Sequence, residues 1–264
     1  VSPVPPQHGA WAFLGLPFAT ALTVSPWTPV LLLLAVTWVC AYPASYFLLA
    51  LVRDRTSRRP DPGRFTRPLA LWWAVTLAAG LPLLLARPWL VWVAVAYGAT
   101  FLVNLAFARR HDERALVNDL VFIVQCTAMV PVTWMVATGA RSLTPPSLAE
   151  APAHLWVLTV AVALLLVGST LHVKSLIRER ADPRYARASR ATALVSLLAA
   201  TGLAAWWGLP SGLLIVLPFA YFAVRSWAIR TSVNRAAPRP AVIGMVELVG
   251  FVLLVVGAAL AGLG

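Results

Sequence analysis

The stretch HLWVLTVAVALLLVGSTLHVKSLIRER, residues 154–180, decides the fold. No formally charged side chain interrupts it before Lys174, and Arg178, Glu179 and Arg180 then follow within six residues. A bilayer core about 30 Å thick needs roughly 20 apolar residues in a helix. A helix apolar on every face is a membrane span or a fully buried core element, not a surface helix. The stretch therefore reads as a span that stops at a basic edge.

The same ruler, carried outward, marks nine spans: His8–Val24, Thr28–Val52, Pro68–Ala86, Trp89–Ala108, Ala115–Ala137, His154–Ile177, Ala188–Trp207, Leu209–Ala228 and Ala241–Gly262. Turn signals separate the closest neighbours, as at Ser25-Pro26-Trp27, Arg87-Pro88-Trp89 and Gly208-Leu209-Pro210. The expected fold is all-α, a single polytopic membrane domain over residues 1–264. Composition agrees, since 60% of residues are hydrophobic and 11% charged, against about 25% charged in a soluble domain. No basic leader precedes the first span, so no cleavable signal peptide is expected. Cys40 and Cys126 fall inside apolar runs and read as small buried hydrophobes. Abundant Ala and Arg with scarce Lys point to a GC-rich bacterial genome.

The cations alternate with the spans. Arg53, Arg55, Arg58, Arg59, Arg64 and Arg67 follow the second span, and Arg109, Arg110 and Arg114 the fourth. Lys174, Arg178, Arg180, Arg184, Arg187 and Arg190 surround the end of the sixth, and Arg225, Arg230, Arg235 and Arg239 the end of the eighth. These are 19 of the 21 basic residues, leaving Arg87 and Arg141 on the other side. The positive-inside rule then puts the N-terminus and the even loops in the cytoplasm and the C-terminus outside. The location expected is the cytoplasmic (inner) membrane of a bacterium. A net charge of +12 distributed in this way argues against a nucleic-acid partner and for anionic lipid headgroups.

Topology does not require that Leu51-Val52-Arg53-Asp54-Arg55 pair with Leu176-Ile177-Arg178-Glu179-Arg180, four helices later. The match predicts a parallel duplication of helices 1–4 and 5–8, with helix 9 added, and a site between the halves. Arginine offers a planar fork of donors suited to phosphate oxygens. Lys174, Arg178 and Asp182, spaced by four, are expected to form one helical stripe, with His172, Ser175 and Glu179 beside it. Such a ladder serves equally well as a headgroup anchor. Within the spans, Asn104, Asn118, Asp119 and Gln125 are polar residues of the kind that bind helices together. Glu247 is the only acid well inside a predicted helix, where a charge is costly and is either paired or functional.

Gln7-His8-Gly9-Ala10-Trp11-Ala12 and Lys174-Ser175-Leu176-Ile177-Arg178-Glu179-Arg180 resemble the YwiC-like family of bacterial membrane proteins across the whole chain. That likeness brings no activity with it. A more distant similarity is to the UbiA-type intramembrane prenyltransferases, which have nine helices and Asp-rich motifs after helices two and six. Lys174 and Asp182 match the ends of the second motif, while Ser175 and Arg178 replace its other acids. Asp54, set between Arg53 and Arg55, is all that stands at the first motif. Arg64-Phe65-Thr66-Arg67-Pro68-Leu69 is similar to the family's entry into helix three, and Ala108-Arg109-Arg110 to its close of helix four.

The resemblance implies a UbiA-like bundle that binds an isoprenoid or other lipid phosphate at the cytoplasmic face. In that reading Arg53, Arg55, Arg109, Arg110, Lys174, Arg178 and Arg180, with Asn118 and Asp119, contact the substrate. Asp54 and Glu179 orient them or act catalytically, and His8 carries a proton. Asp54, Glu179 and Asp182 are the residues left to hold Mg²⁺. The other reading is a non-catalytic membrane subunit or small-solute transporter built on Glu247, Asp119 and Gln125.

Overall fold

A computed structural model describes residues 2–6, 8–57, 60–61, 63–229 and 239–263, with the backbone alone at His8. Gln7, Arg58, Arg59, Arg230, Arg235 and the His8 side chain therefore lie outside the described residues. Among the described residues the chain forms nine α-helices and no strand. These are α1 (His8–Leu22), α2 (Val30–Arg55), α3 (Gly63–Ala86), α4 (Leu90–Arg109), α5 (Leu116–Thr138), α6 (Ala153–Leu176), α7 (Pro183–Trp207), α8 (Leu213–Ala228) and α9 (Pro240–Ala261). Seven are long and apolar enough to cross a membrane, whereas α1 and α8 have 15 and 16 residues. The protein is thus a multi-pass membrane protein.

Two expected boundaries move for local reasons. The eighth helix begins at Leu213, not Leu209, because residues 208–212 form a turn in which Gly212 N–H donates to the Gly208 carbonyl at 2.8 Å. The first helix ends at Leu22, where both the N–H and the hydroxyl of Thr23 turn back onto the Thr20 carbonyl. Two other helices start earlier than hydropathy predicts. α3 begins at Gly63 and α7 at Pro183, so Arg64, Arg67, Arg184, Arg187 and Arg190 ride on their opening turns. In α7 the start is fixed by Asp182, whose carboxylate accepts from Arg184 N–H at 2.8 Å, with Pro183 at the first helical position.

The chain divides into two compact units, residues 1–14 with 25–150 and residues 15–24 with 151–264. In the first, α2 is the hub and packs on α3, α4 and α5. Its basic end is closed by an apolar cluster of Phe47, Ala50, Leu51 and Phe65. In the second, α6 is the hub and packs on α7, α8 and α9. Here α8 and α9 come close because Gly250 and Gly257 face Phe222 and Leu214, the small-residue route to tight helix contact in a membrane. Large apolar side chains such as Leu77, Leu81, Trp92, Val95, Leu198 and Val252 stay exposed on helix surfaces, as lipid-facing positions do. The off-side Arg87 has local work, since its guanidinium donates to the carbonyls of Ala86 and Val136 at the ends of α3 and α5.

Candidate functional site

In the first unit the pentad Leu51–Arg55 is helical to its last residue. Arg53 donates to Glu113 at 2.9 Å, in a pair whose side chains are 43% and 25% exposed. Buried Asp54 accepts from Asp61 N–H at 2.6 Å and meets Arg64 at 3.3 Å. Its carboxylate thereby ties the end of α2 to the start of α3. Arg55, Arg109 and Arg110 are exposed. On α3, Arg64, Arg67, Pro68 and Leu71 recur at helical spacing on one face and, with Pro3 and Gly63, line an open groove of about 700 Å³. Trp72 fastens the amino-terminal segment nearby by donating its indole N–H to the Pro3 carbonyl.

Below this end, the span amides form a ladder between α4 and α5. Asn104 donates to Asn118 at 2.8 Å, and Asn118 to the Glu113 carbonyl. Gln125 donates to Thr100 at 2.7 Å, and Tyr97 to the Gln125 carbonyl at 2.6 Å. These groups satisfy one another, which is what polar side chains in a hydrocarbon layer must do. Asp119 is half-buried on the same helix.

In the second unit the pentad behaves differently. α6 stops at Leu176, and residues 177–181 form turns in which the Lys174 carbonyl accepts from the N–H groups of both Arg178 and Glu179. The expected stripe of Lys174, Arg178 and Asp182 on one helix is thus absent. α6 ends well before Pro183, and Pro183 then holds Asp182 extended at φ −94°, ψ 110°, so no continuous helix carries the three residues. Arg178 is exposed, while Glu179, Arg180 and Asp182 are half-buried. Lys174, the only lysine of the chain, is buried.

One turn further in, the unit holds a buried polar cluster. Arg225 of α8 and Glu247 of α9 form an ion pair with side chains 3% and 7% exposed. The Arg225 guanidinium lies 3.7 Å over the Phe222 ring. His172 of α6 is 2% exposed and shares a 3.1 Å hydrogen bond between Nδ1 and Ser189 Oγ of α7. Arg225 is near enough for its charge to act on that imidazole. Charge placement had marked Glu247 but had assigned Arg225 to topology and His172 to a surface stripe. The signal that could have found them is chemical, because an acid inside one span needs a cation at matching depth in another.

Within its own unit, Asp54 uses its oxygens on Asp61 and Arg64, and Asp182 caps α7; no three His, Cys, Asp or Glu side chains cluster among the described residues. Cys40 and Cys126 are buried free thiols, as their apolar setting predicts.

A family model described as "YwiC-like protein" matches residues 4–134. An uncharacterized protein YwiC of Bacillus subtilis is 27% identical over 231 residues, covering 86% of this chain and 89% of that protein. An uncharacterized protein of Haemophilus influenzae is 26% identical over 185 residues, covering 69% and 71%. The Bacillus alignment is too long to fit within the first unit and extends into the second. No solved structure matches. Kinship with the YwiC-like proteins is shown, and the UbiA-type likeness rests on its motifs alone.

Proposed function

We propose that this relative of the YwiC-like proteins binds the phosphate of an anionic or isoprenoid lipid at the groove on α3, on the cytoplasmic side of a bacterial inner membrane. The observation that carries the reading is the helical face of Arg64, Arg67, Pro68 and Leu71. Two guanidinium groups there pass directly into apolar surface, matching a lipid whose charged head joins an apolar chain. Arg64 is half-exposed even while it meets Asp54, so a phosphate oxygen can compete for its remaining donors. Arg53 braces this end through Glu113, and exposed Arg55, Arg109 and Arg110 add attraction to an anionic surface. Arg178 and Arg180 play the corresponding part at the basic end of the second unit. Binding, not transfer, is proposed, because Asp54 and Asp182, two of the three acids that would hold Mg²⁺, are engaged locally.

The test is native mass spectrometry of the detergent-purified chain, offered geranylgeranyl phosphate or phosphatidic acid, beside an Arg64→Ala, Arg67→Ala variant. Adducts should fall at least tenfold in the variant, about 1.4 kcal/mol, and equally with or without Mg²⁺. Undiminished adducts in a folded variant would overturn the reading. Adducts that require Mg²⁺ would restore the metal-assisted alternative.

A further inference from the structure

The buried cluster of the second unit is not explained by lipid binding at the groove, and its hydrogen bonding is unbalanced. The ion pair touches through Arg225 Nη1 and Glu247 Oε1, while His172 Nε2, Arg225 Nε, Glu247 Oε2, Ser169 Oγ and Ser196 Oγ are buried without a hydrogen-bond partner among the described residues. Leaving such a group unmade costs about 1–3 kcal/mol, and more where no water reaches it. All but the Glu247 oxygen can donate. With the Ser189 hydroxyl donating to Nδ1, the His172 hydrogen sits on Nε2. The carboxylate of the cluster, Glu247, is in contact with Arg225. Four unpartnered donors against one unpartnered carboxylate oxygen leave the unit short of acceptors, a deficit that an acceptor-rich guest would fill.

The position of the cluster fits access from the basic end. His172 lies four residues before the end of α6 and Arg225 three before the end of α8, about 6 Å and 4.5 Å along their axes. Glu247 lies seven residues past the start of α9, about 10 Å. Ser169 and Ser196 continue the polar line deeper along α6 and α7. Lys174 and Ser175 stand between the cluster and the turn at residues 177–181.

We propose that the α6–α9 unit holds a second, buried site that binds a small oxyanion, a phosphate or carboxylate group, together with one proton. Electroneutrality dictates the proton. The Arg225–Glu247 pair is neutral, so adding an anion alone would bury net charge, which a low-dielectric interior resists strongly. When the anion enters, a proton from the aqueous side joins a Glu247 carboxylate oxygen and Arg225 exchanges Glu247 for the anion. The charge of the site is unchanged. The ionisable groups facing the exchange are His172 from α6, Tyr221 and Arg225 from α8, and Glu247 from α9, with Lys174 buried nearer the end of α6. Ser189 is the neutral contact from α7. His172 and Arg225 hold the anion, and Glu247 is the proton acceptor.

The experiment is infrared difference spectroscopy of the full chain in nanodiscs, at constant pH, before and after adding inorganic phosphate or geranyl phosphate. Neither probe has a carboxyl C=O stretch, so a new protonated-carboxyl band reports the protein. Wild type should gain that band, and Glu247→Gln should lack it. Arg225→Met, Glu247→Leu removes both charges and keeps the fold, and it should give no response to either probe. His172→Gln should raise the half-saturating concentration at least tenfold. A response to both probes assigns a free anion, and a response to geranyl phosphate alone assigns a lipid headgroup. Arg64→Ala, Arg67→Ala should leave the band intact, which separates this site from the groove. Absence of the band in wild type with both probes, or its persistence in Glu247→Gln, would overturn the proposal.

Discussion

Gly250 is where the packing of the second unit can be tested most sharply. A methyl group built at Gly250 overlaps Phe222, with ring atoms Cδ1 at 2.7 Å and Cζ at 2.8 Å and Cε1 closer still. Carbon atoms pack favourably at about 3.5–4.0 Å, so the ring must retreat by more than about 1.5 Å. Its surroundings are close: Arg225 lies over one face, Phe251 is 6.3 Å away, and the ring is buried. Gly250→Ala should therefore incur the overpacking cost of about 1–3 kcal/mol, offset by about 1 kcal/mol of improved helix propensity. Gly244→Ala, on the same helix with nothing within 4 Å, gains propensity alone. Unfolding of the two variants in mixed micelles of rising SDS fraction should separate their midpoints by the full overpacking term. Phe222→Leu, combined with Gly250→Ala in a double-mutant cycle, should recover at least half of it. Equal midpoints for the two alanine variants, or a cycle with no coupling, would refute this account of α8–α9 packing.

The ion pair makes a second prediction for the same assay. Glu247→Ala leaves Arg225 buried and unpaired and should cost about 3–5 kcal/mol, whereas Arg225→Met, Glu247→Leu should fall within about 1 kcal/mol of wild type. Asp182→Ala removes the cap of α7 and should cost about 1 kcal/mol, with no change on adding Mg²⁺. A Mg²⁺-dependent midpoint in wild type that vanishes in this variant would make Asp182 a metal ligand instead.

The hydrophobic runs carried most of the fold openly, because a helix in lipid must be apolar around its circumference and the ruler is the bilayer itself. Where the helices began at the basic ends was not legible. Gly63–Arg67 and Pro183–Arg187 are helical yet charged, and hydropathy measures solvent preference, not backbone conformation. At α7 the start is set by capping chemistry, the Asp182 carboxylate with Pro183 behind it, a signal that hydropathy does not register. The amide ladder of Asn104, Asn118 and Gln125 was legible as helix cement. Arg225 was hidden because an arginine three residues from a span end reads the same whether it reaches out to headgroups or inward to a carboxylate. That choice is made by the neighbouring helix, here by Glu247 of α9.

Aligning the two pentads sets His172 against Phe47, Lys174 against Leu49 and Ser175 against Ala50. In the first unit these positions help close the end of a hub helix with apolar contacts, among them Phe47, Ala50, Leu51 and Phe65. In the second, the hub helix carries an imidazole, an ammonium and a hydroxyl there, all buried. Both hubs hold three neighbouring helices, so the polar set is not what building such a hub demands. It is the more expensive choice in a membrane, where each buried ionisable group must be matched. Packing explains Phe47 and Ala50, and it leaves His172, Arg225 and Glu247 to be explained by a guest.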